Sequence, residues 1–196
     1  MSTLVVDTST VINLHASAHG KAILSALPAE VIVPDVVARE LEKETSRSTG
    51  ESDFVNYLAR CGLITIVVMS DDETETFLKL TSISPSLDDG EAATIAIAVS
   101  RNLIPVLDER KGRKRAAAMS TLELPWWSLD FFLHRAVRDA LGDRNANEAL
   151  YLALFKGRMR IPLNQADAVI DLIGMECARA CTCLPNYRNR FCTQRQ

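Results

Sequence analysis

The sequence predicts an α/β fold of three layers, α/β/α, with a central parallel sheet and a helical C-terminal extension. Three observations predict it. Short apolar strands alternate with helix-forming segments over residues 4–126. Those strands are apolar at nearly every position, as in a sheet covered on both faces. Beyond about Trp127 the strands stop and only helical segments follow.

The elements follow in order along the chain. Leu4-Val5-Val6 is a β-favouring run that ends at Asp7-Thr8-Ser9-Thr10, a cluster that starts helices. Val11-Ile12, Leu14, Ile23-Leu24 and Leu27 supply the apolar face of a first helical region. Val31-Ile32-Val33 is a second strand stopped by Pro34, and Pro34-Asp35 opens a helix to about Glu44. Thr45–Glu51 is a Ser/Thr/Gly loop before a helix near Ser52–Arg60. Leu63–Met69 is a third strand. Asp71–Ser82 is a helix whose first turn is acidic, which suits the positive end of the helix dipole. Pro85 marks a break, and Asp88-Asp89-Gly90-Glu91 begins an Ala-rich helix to Ser100. Leu103–Leu107 is a fourth strand ending at Asp108. Glu109–Ala118 is helical, and a short fifth strand near Leu122–Leu124 precedes Pro125-Trp126-Trp127. Helices over Ser128–Leu141, Asn145–Phe155 and Gln165–Cys177 form the extension. The expected division is therefore a core over 1–126, a helical extension over 127–176 packed on it, and a basic, Cys-containing tail over 177–196. That tail has four Arg and no acid and is expected to be poorly ordered.

Composition narrows the function. The chain has 22 Lys+Arg against 25 Asp+Glu, a net charge of −3. This argues against a generic nucleic-acid-coating protein but leaves room for a local basic site. No apolar stretch approaches the ~20 residues that span a bilayer, and Met1-Ser2-Thr3-Leu4 lacks the charged start of a signal peptide. A cytoplasmic chain without membrane contact is expected. The odd set of cysteines, Cys61, Cys177, Cys181, Cys183 and Cys192, lacks the C-x2-C pair of zinc sites, so free thiols are expected. His15 and His19, four apart, read as a solvated pair on the first helix.

The acids carry the chemistry. Asp7 and Asp108 stand just past the ends of apolar strands, where open α/β sheets bind ligands. Taken singly, each fits a helix cap as well as a site. Glu91 reads either as the partner of Asp88 in a capping box or as a site acid against the small wall of Gly90, Ala92 and Ala93. Glu40, near Glu42 and Glu44, reads alone as part of a solvated face.

Together these pieces resemble the PIN-domain nucleases. The matching runs are Leu4-Val5-Val6-Asp7-Thr8-Ser9, then Pro34 with Val37 and Glu40-Leu41, then Leu87-Asp88-Asp89-Gly90-Glu91 with Ala96-Ile97-Ala98, then Val106-Leu107-Asp108-Glu109-Arg110. They cover roughly residues 3–118 in the family's order. The run Asp108-Glu109-Arg110-Lys111-Gly112-Arg113 is similar to that of a toxin-like, VapC-type branch. The resemblance implies a PIN-like sheet ordered 3-2-1-4-5, with Asp7, Glu40, Glu91 and Asp108 as catalytic acids around a divalent metal. Asp7, Glu91 and Asp108 would be its ligands, with Ser9 and Asp88 in support.

Carboxylate oxygens are hard donors that suit Mg2+ or Mn2+. Such an ion activates water for attack on a phosphodiester. Arg110, Lys111, Arg113, Lys114 and Arg115 form a basic run beside that acidic crevice and are expected to hold RNA phosphates. Trp126, Trp127, Phe131 and Phe132 are expected to join core and extension. The expected activity is that of a metal-dependent endoribonuclease, as the toxin of a toxin–antitoxin pair. RNA is the substrate, a small antitoxin blocks the crevice, and a homodimer is the expected assembly. Two alternatives are weighed. A metal-dependent phosphatase would call for a second Asp where Ser9 stands. An inactive RNA- or partner-binding module would be favoured by loss of one of the four acids, and none is lost.

Overall fold

The computed structural model describes residues 2–43, 50–83, 86–119 and 124–192. Strands β1 (Ser2–Val6), β2 (Ala29–Pro34), β3 (Thr65–Val67) and β4 (Ile104–Val106) form an all-parallel sheet in the order β3-β2-β1-β4. Leu4 pairs with Val31 on one side and with Ile104 on the other, and Val6 pairs with Val106. Of the expected fifth strand, residues 122–123 lie outside the described residues, as do residues 44–49 and the break at 84–85. At the outer edge of β4, Trp126 bridges Val106 in parallel. Its amide donates to Pro105 O, and its carbonyl accepts from Leu107 N, both at 2.9 Å.

The alternation of side chains across each strand explains the apolar runs. Leu4, Val6, Val31 and Val33 join the large core on one face of the sheet. Val5 and Ile32 point to the other face and pack with Ile97 and Ala98. Both faces need apolar residues, so no polar alternation is written into the strands.

On the first face lie α1 (Thr8–Ala16), α2 (Gly20–Ala26), α4 (Glu51–Arg60) and the extension helices α8 (Ser128–Leu133), α9 (Arg135–Phe155) and α10 (Ala166–Ile173). Helix α3 (Asp35–Leu41) adds Val37 and Leu41 to that core. On the second face lies α6 (Asp89–Ser100), packed between the sheet, α5 (Asp71–Ser82) and α7 (Arg110–Met119). Residues 90–98 of α6 are all buried, so this helix has no solvent face. Its alanines let its neighbours approach closely. Glu73 of α5 is fixed to Arg101 at the end of α6 by two hydrogen bonds of 2.7 and 2.8 Å.

Several expectations are corrected here. The first helical region is two helices, because Ser17 Oγ donates to Leu14 O and accepts from His19 N, competing with the helix ladder. His15 and His19 therefore lie on opposite sides of that break, both half-buried, with His15 against the Phe54 ring. The helix expected over Ser128–Leu141 breaks at His134, which is extended and whose Nδ1 caps Ala136 N. The break expected between Leu141 and Asn145 is found at Gly142, whose non-helical backbone kinks α9 into two helical parts. The described part of the tail, residues 177–192, is folded, contrary to expectation. It forms α11 (Met175–Ala180) and α12 (Tyr187–Phe191), and Ala178, Cys181 and Leu184 are buried in the main core. Arg190 pairs with Asp167, tying α12 to α10. The five cysteines are free. Among the described residues no helix is long and apolar enough to cross a membrane.

Candidate active site

The strand order places β2 on one side of β1 and β4 on the other. The chain therefore leaves the ends of β1 and β4 in opposite directions, opening a crevice at their carboxyl ends. Asp7 follows β1 and Asp108 follows β4 by two residues, so both carboxylates enter this crevice. They are 2% and 3% exposed.

Each Asp is held by donors. Asp7 caps α1: its Oδ1 accepts from Thr10 N at 2.8 Å and Thr10 Oγ1 at 2.6 Å, and its Oδ2 from Ser9 Oγ at 2.8 Å. The cap and the site are thus the same group. Asp108 does not cap the helix that follows it. Its Oδ1 accepts from Ser128 N at 2.7 Å and its Oδ2 from Asn13 Nδ2 at 2.9 Å. Ser128 Oγ donates to Thr10 Oγ1 at 3.0 Å and receives Asn13 Nδ2 at 3.2 Å. A buried chain of hydrogen bonds therefore links Asp7 through Thr10, Ser128 and Asn13 to Asp108. Sequence reasoning missed Thr10, Asn13 and Ser128. The available signal was the spacing of Ser9, Thr10 and Asn13, which puts three polar side chains on one face of α1.

Glu91 is the third buried acid, 2% exposed, in the first turn of α6. Asp88 Oδ1 caps Glu91 N at 2.8 Å, but Glu91 does not return the bond, so no capping box forms. Both Glu91 carboxylate oxygens are buried without a hydrogen-bond partner among the described residues. Lys111 Nζ is 3.8 Å from Oε2, an ion pair too long for a hydrogen bond. A Cβ at Gly112 would lie 2.6 Å from Glu91 Oε1, so glycine is what lets α7 approach this carboxylate.

Glu40 stands at the edge of the group. It is half-buried, accepts from Thr8 Oγ1, and lies where a Cβ at Gly90 would be 2.8 Å from its Oε2. That is the close approach Gly90 permits. Ser9 is half-buried beside Asp7, and Asp88 is exposed as the cap of α6.

The basic run divides. Lys111, Lys114 and Arg115 line a cavity of about 350 Å3 with Leu87 and Ala118, and Arg110 is exposed. Arg113 differs from the expectation for phosphate contact. Its guanidinium donates to Leu107 O at 2.9 Å, Trp126 O at 2.6 Å and Pro125 O at 2.6 Å, and lies over the Trp127 ring. It fastens the segment before α8 to the end of β4. Phe131 and Phe132 are buried in the joint, as expected, with Trp126 and Trp127 packed against it.

Burial dominates the electrostatics. It pushes Asp7 up to about 6, against the opposing hydrogen bonds from Thr10 and Ser9. It pushes Asp108 up to about 7, helped by the charge of Asp7 and opposed by Ser128 and Arg113. It pushes Glu91 up to about 8, helped by Asp88, Glu109 and Asp7 and opposed by Lys111. Repulsion among the acids adds to the shift, but desolvation is the larger cause.

The donor chemistry fits a hard divalent cation. Each carboxylate oxygen can accept about two bonds, so Asp7 Oδ2 and both Asp108 oxygens keep capacity, and Glu91 keeps all of its own. Among the described residues no three His, Cys, Asp or Glu side chains already converge as an ion cage. Asp7 and Asp108 are turned toward Thr10, Ser9, Asn13 and Ser128 instead. A family model described as PIN domain matches residues 3–171. No match to the chain is found among curated proteins or among solved structures.

Proposed function

Because the chain belongs to the PIN-domain family, a family of nucleases, we propose that it is a metal-dependent endoribonuclease of the toxin-like, VapC-type branch. The observation that carries this reading is Glu91: two buried carboxylate oxygens without hydrogen bonds, coupled by charge to Asp7 at the strand ends. An unpaired buried carboxylate is costly unless it is protonated or meets a cation.

In this reading Asp7, Glu91 and Asp108 hold Mg2+ or Mn2+, and Glu40 stands as the outer acid. Such an ion, when bound, activates water and offsets charge on the phosphate oxygens. The chain's own groups do the rest. Ser9 and Thr10 hold Asp7, and Asn13 and Ser128 hold Asp108, so both carboxylates are kept at the strand ends where a cation would meet them. Burial makes Glu91 and Asp108 hold protons more tightly than free carboxylic acids do, and a bound cation would compete with those protons. Lys111 sits beside Glu91 as a counter-charge, positioned to meet a substrate phosphate. Lys114, Arg115 and Arg110 extend that bank.

The test is cleavage of single-stranded RNA by the purified chain with Mg2+ or Mn2+ and with EDTA. Glu91→Gln and Asp108→Asn should each remove cleavage while the chain stays folded. Wild-type rates in Glu91→Gln would overturn the assignment. Replacing Lys111 and Lys114 by Gln should lower the log–log salt slope of RNA binding by about 0.7 per lost contact. The toxin role, with a small antitoxin over the crevice and a homodimeric assembly, belongs to the same proposal. Growth arrest on expression of wild type but not of Asp7→Asn is its expected sign.

A further inference from the structure

Gly157–Arg160, the turn after α9, is pressed against the acid crevice. A cavity of about 200 Å3 is lined by Ser9, Asn13, Asp108 and Glu109 from the core and by Arg158 and Arg160 from this turn. A Cβ at Gly157 would lie 2.8 Å from Asn13 Oδ1 and 3.2 Å from Ala16 Cβ, so the turn has no room to shift inward. Asn13 is the residue that holds Asp108. On the far side Arg160 pairs with Glu109 at 3.0 Å, and Met159 is buried. The turn is thus anchored at its glycine, its methionine and its second arginine.

Arg158 is the exception. It is exposed, forms no ion pair with a described residue, and has left-handed backbone, φ 56°. That conformation is unfavourable for a side chain with a Cβ and persists only where the surroundings impose it. Arg158 also lines a second, larger cavity of about 640 Å3 formed with the folded tail, including Thr182, Asn186, Tyr187 and Arg188. Arg158 is the one residue that lines both cavities. Arg158 and Arg188 line this second cavity and no Asp or Glu does, so a groove of cationic lining continues from an acidic crevice.

We infer that the Gly157–Arg160 turn and the folded tail form a substrate arm: single-stranded RNA leaving the acid crevice passes Arg158, which binds a phosphate flanking the scissile one, and enters the groove beside Tyr187 and Arg188. The inference rests on the nuclease reading and adds a second bank to it, across the crevice from Lys111, Lys114 and Arg115. A guanidinium suits bidentate contact with phosphate, and an aromatic ring in a cationic groove suits unpaired bases.

The experiment uses the full chain carrying Asp7→Asn, so that RNA is bound but not cut. Affinity is measured by fluorescence anisotropy for single-stranded RNAs of about 5 and about 15 nucleotides across a range of KCl. Adding Arg158→Gln should weaken binding of the longer RNA about fivefold to tenfold and lower its log–log salt slope by about 0.7. The shorter RNA should be affected less. Arg158→Lys should restore the slope, because the charge returns. Arg144→Gln, an exposed arginine that lines neither cavity, should leave it unchanged. An unaltered slope in Arg158→Gln, or an equal loss in Arg144→Gln, overturns the arm while the nuclease reading stands. A wild-type chain that neither binds nor cuts single-stranded RNA overturns both.

Discussion

Glu73 and Glu91 occupy the same place in neighbouring helices. Each is the third residue after an N-cap, in Ser70-Asp71-Asp72-Glu73 and Asp88-Asp89-Gly90-Glu91, and each is 2% exposed. Their surroundings differ completely. Glu73 accepts from Ser70 N at 2.8 Å in a capping box and pairs with Arg101 through both oxygens. The Arg101 hydrogen bond lowers its pKa. The Glu91 carboxylate accepts no hydrogen bond from a described residue and is pushed up to about 8 by burial. One sequence signature thus ends in a paired carboxylate in one helix and in an unpaired buried one in the next. The difference lies in what faces each carboxylate: Arg101 in one case, Gly112 and a distant Lys111 in the other.

Exchanging each glutamate for glutamine is the sharpest way to break this comparison. Glu91→Gln should lose RNA cleavage by a thousandfold or more, about 4 kcal/mol in barrier, while Glu73→Gln keeps it. Equal losses in both would mean that Glu91 is only structural. Cation binding should separate them next. Mn2+ at about a hundred times its Kd should stabilise wild type and Glu73→Gln by about 2.7 kcal/mol, and Glu91→Gln by much less. Thermal melts with and without the ion read this directly.

The pH dependence without cation should run in opposite directions. Glu91, Asp108 and Asp7 bind protons more tightly in the folded chain than in the unfolded one. Their contribution is fully present below about pH 4 and is lost as pH rises through about 6, 7 and 8. In EDTA, Glu91→Gln should therefore gain on wild type as pH rises above about 4.5, by roughly 2 kcal/mol near neutrality. Glu73 is lowered, so its contribution is present above about 4.5 and lost as pH falls through its folded value. Glu73→Gln should be less stable than wild type at neutral pH by about 1 kcal/mol, since Arg101 is partly exposed, and should converge with it in acid. Parallel curves for the two variants would show that their carboxylates do not differ as described. The smallest effect is expected from Gly112→Ala. Its methyl group meets Glu91 Oε1 and should weaken Mn2+ binding about threefold by isothermal titration, with little change in the ion-free melt.

Much of the scaffold was legible because its signals are local. The helix at Asp71–Ser82 has the expected bounds, and the first four strands take the expected order. Asp7 and Asp108 stood out because an acid just past an apolar strand faces the ligand end of a parallel sheet. What escaped depends on contacts between distant segments. Ser128 holds Asp108 from twenty residues away, and Asn13 reaches it across 95. Arg113 looked like its basic neighbours, and only the carbonyls around it separate it from them. The tail lacked a strong apolar period, yet Ala178, Cys181 and Leu184 suffice to seat it once the core offers a surface.

The buried hydrogen-bond chain from Asp7 to Asp108 also sets a timetable. A growing polypeptide of 126 residues already contains all four acids, but not the Ser128 amide and hydroxyl that complete the chain, nor Phe131 and Phe132 that seat them. During synthesis, Asp108 waits without its backbone donor until the ribosome has released the segment beyond Trp127.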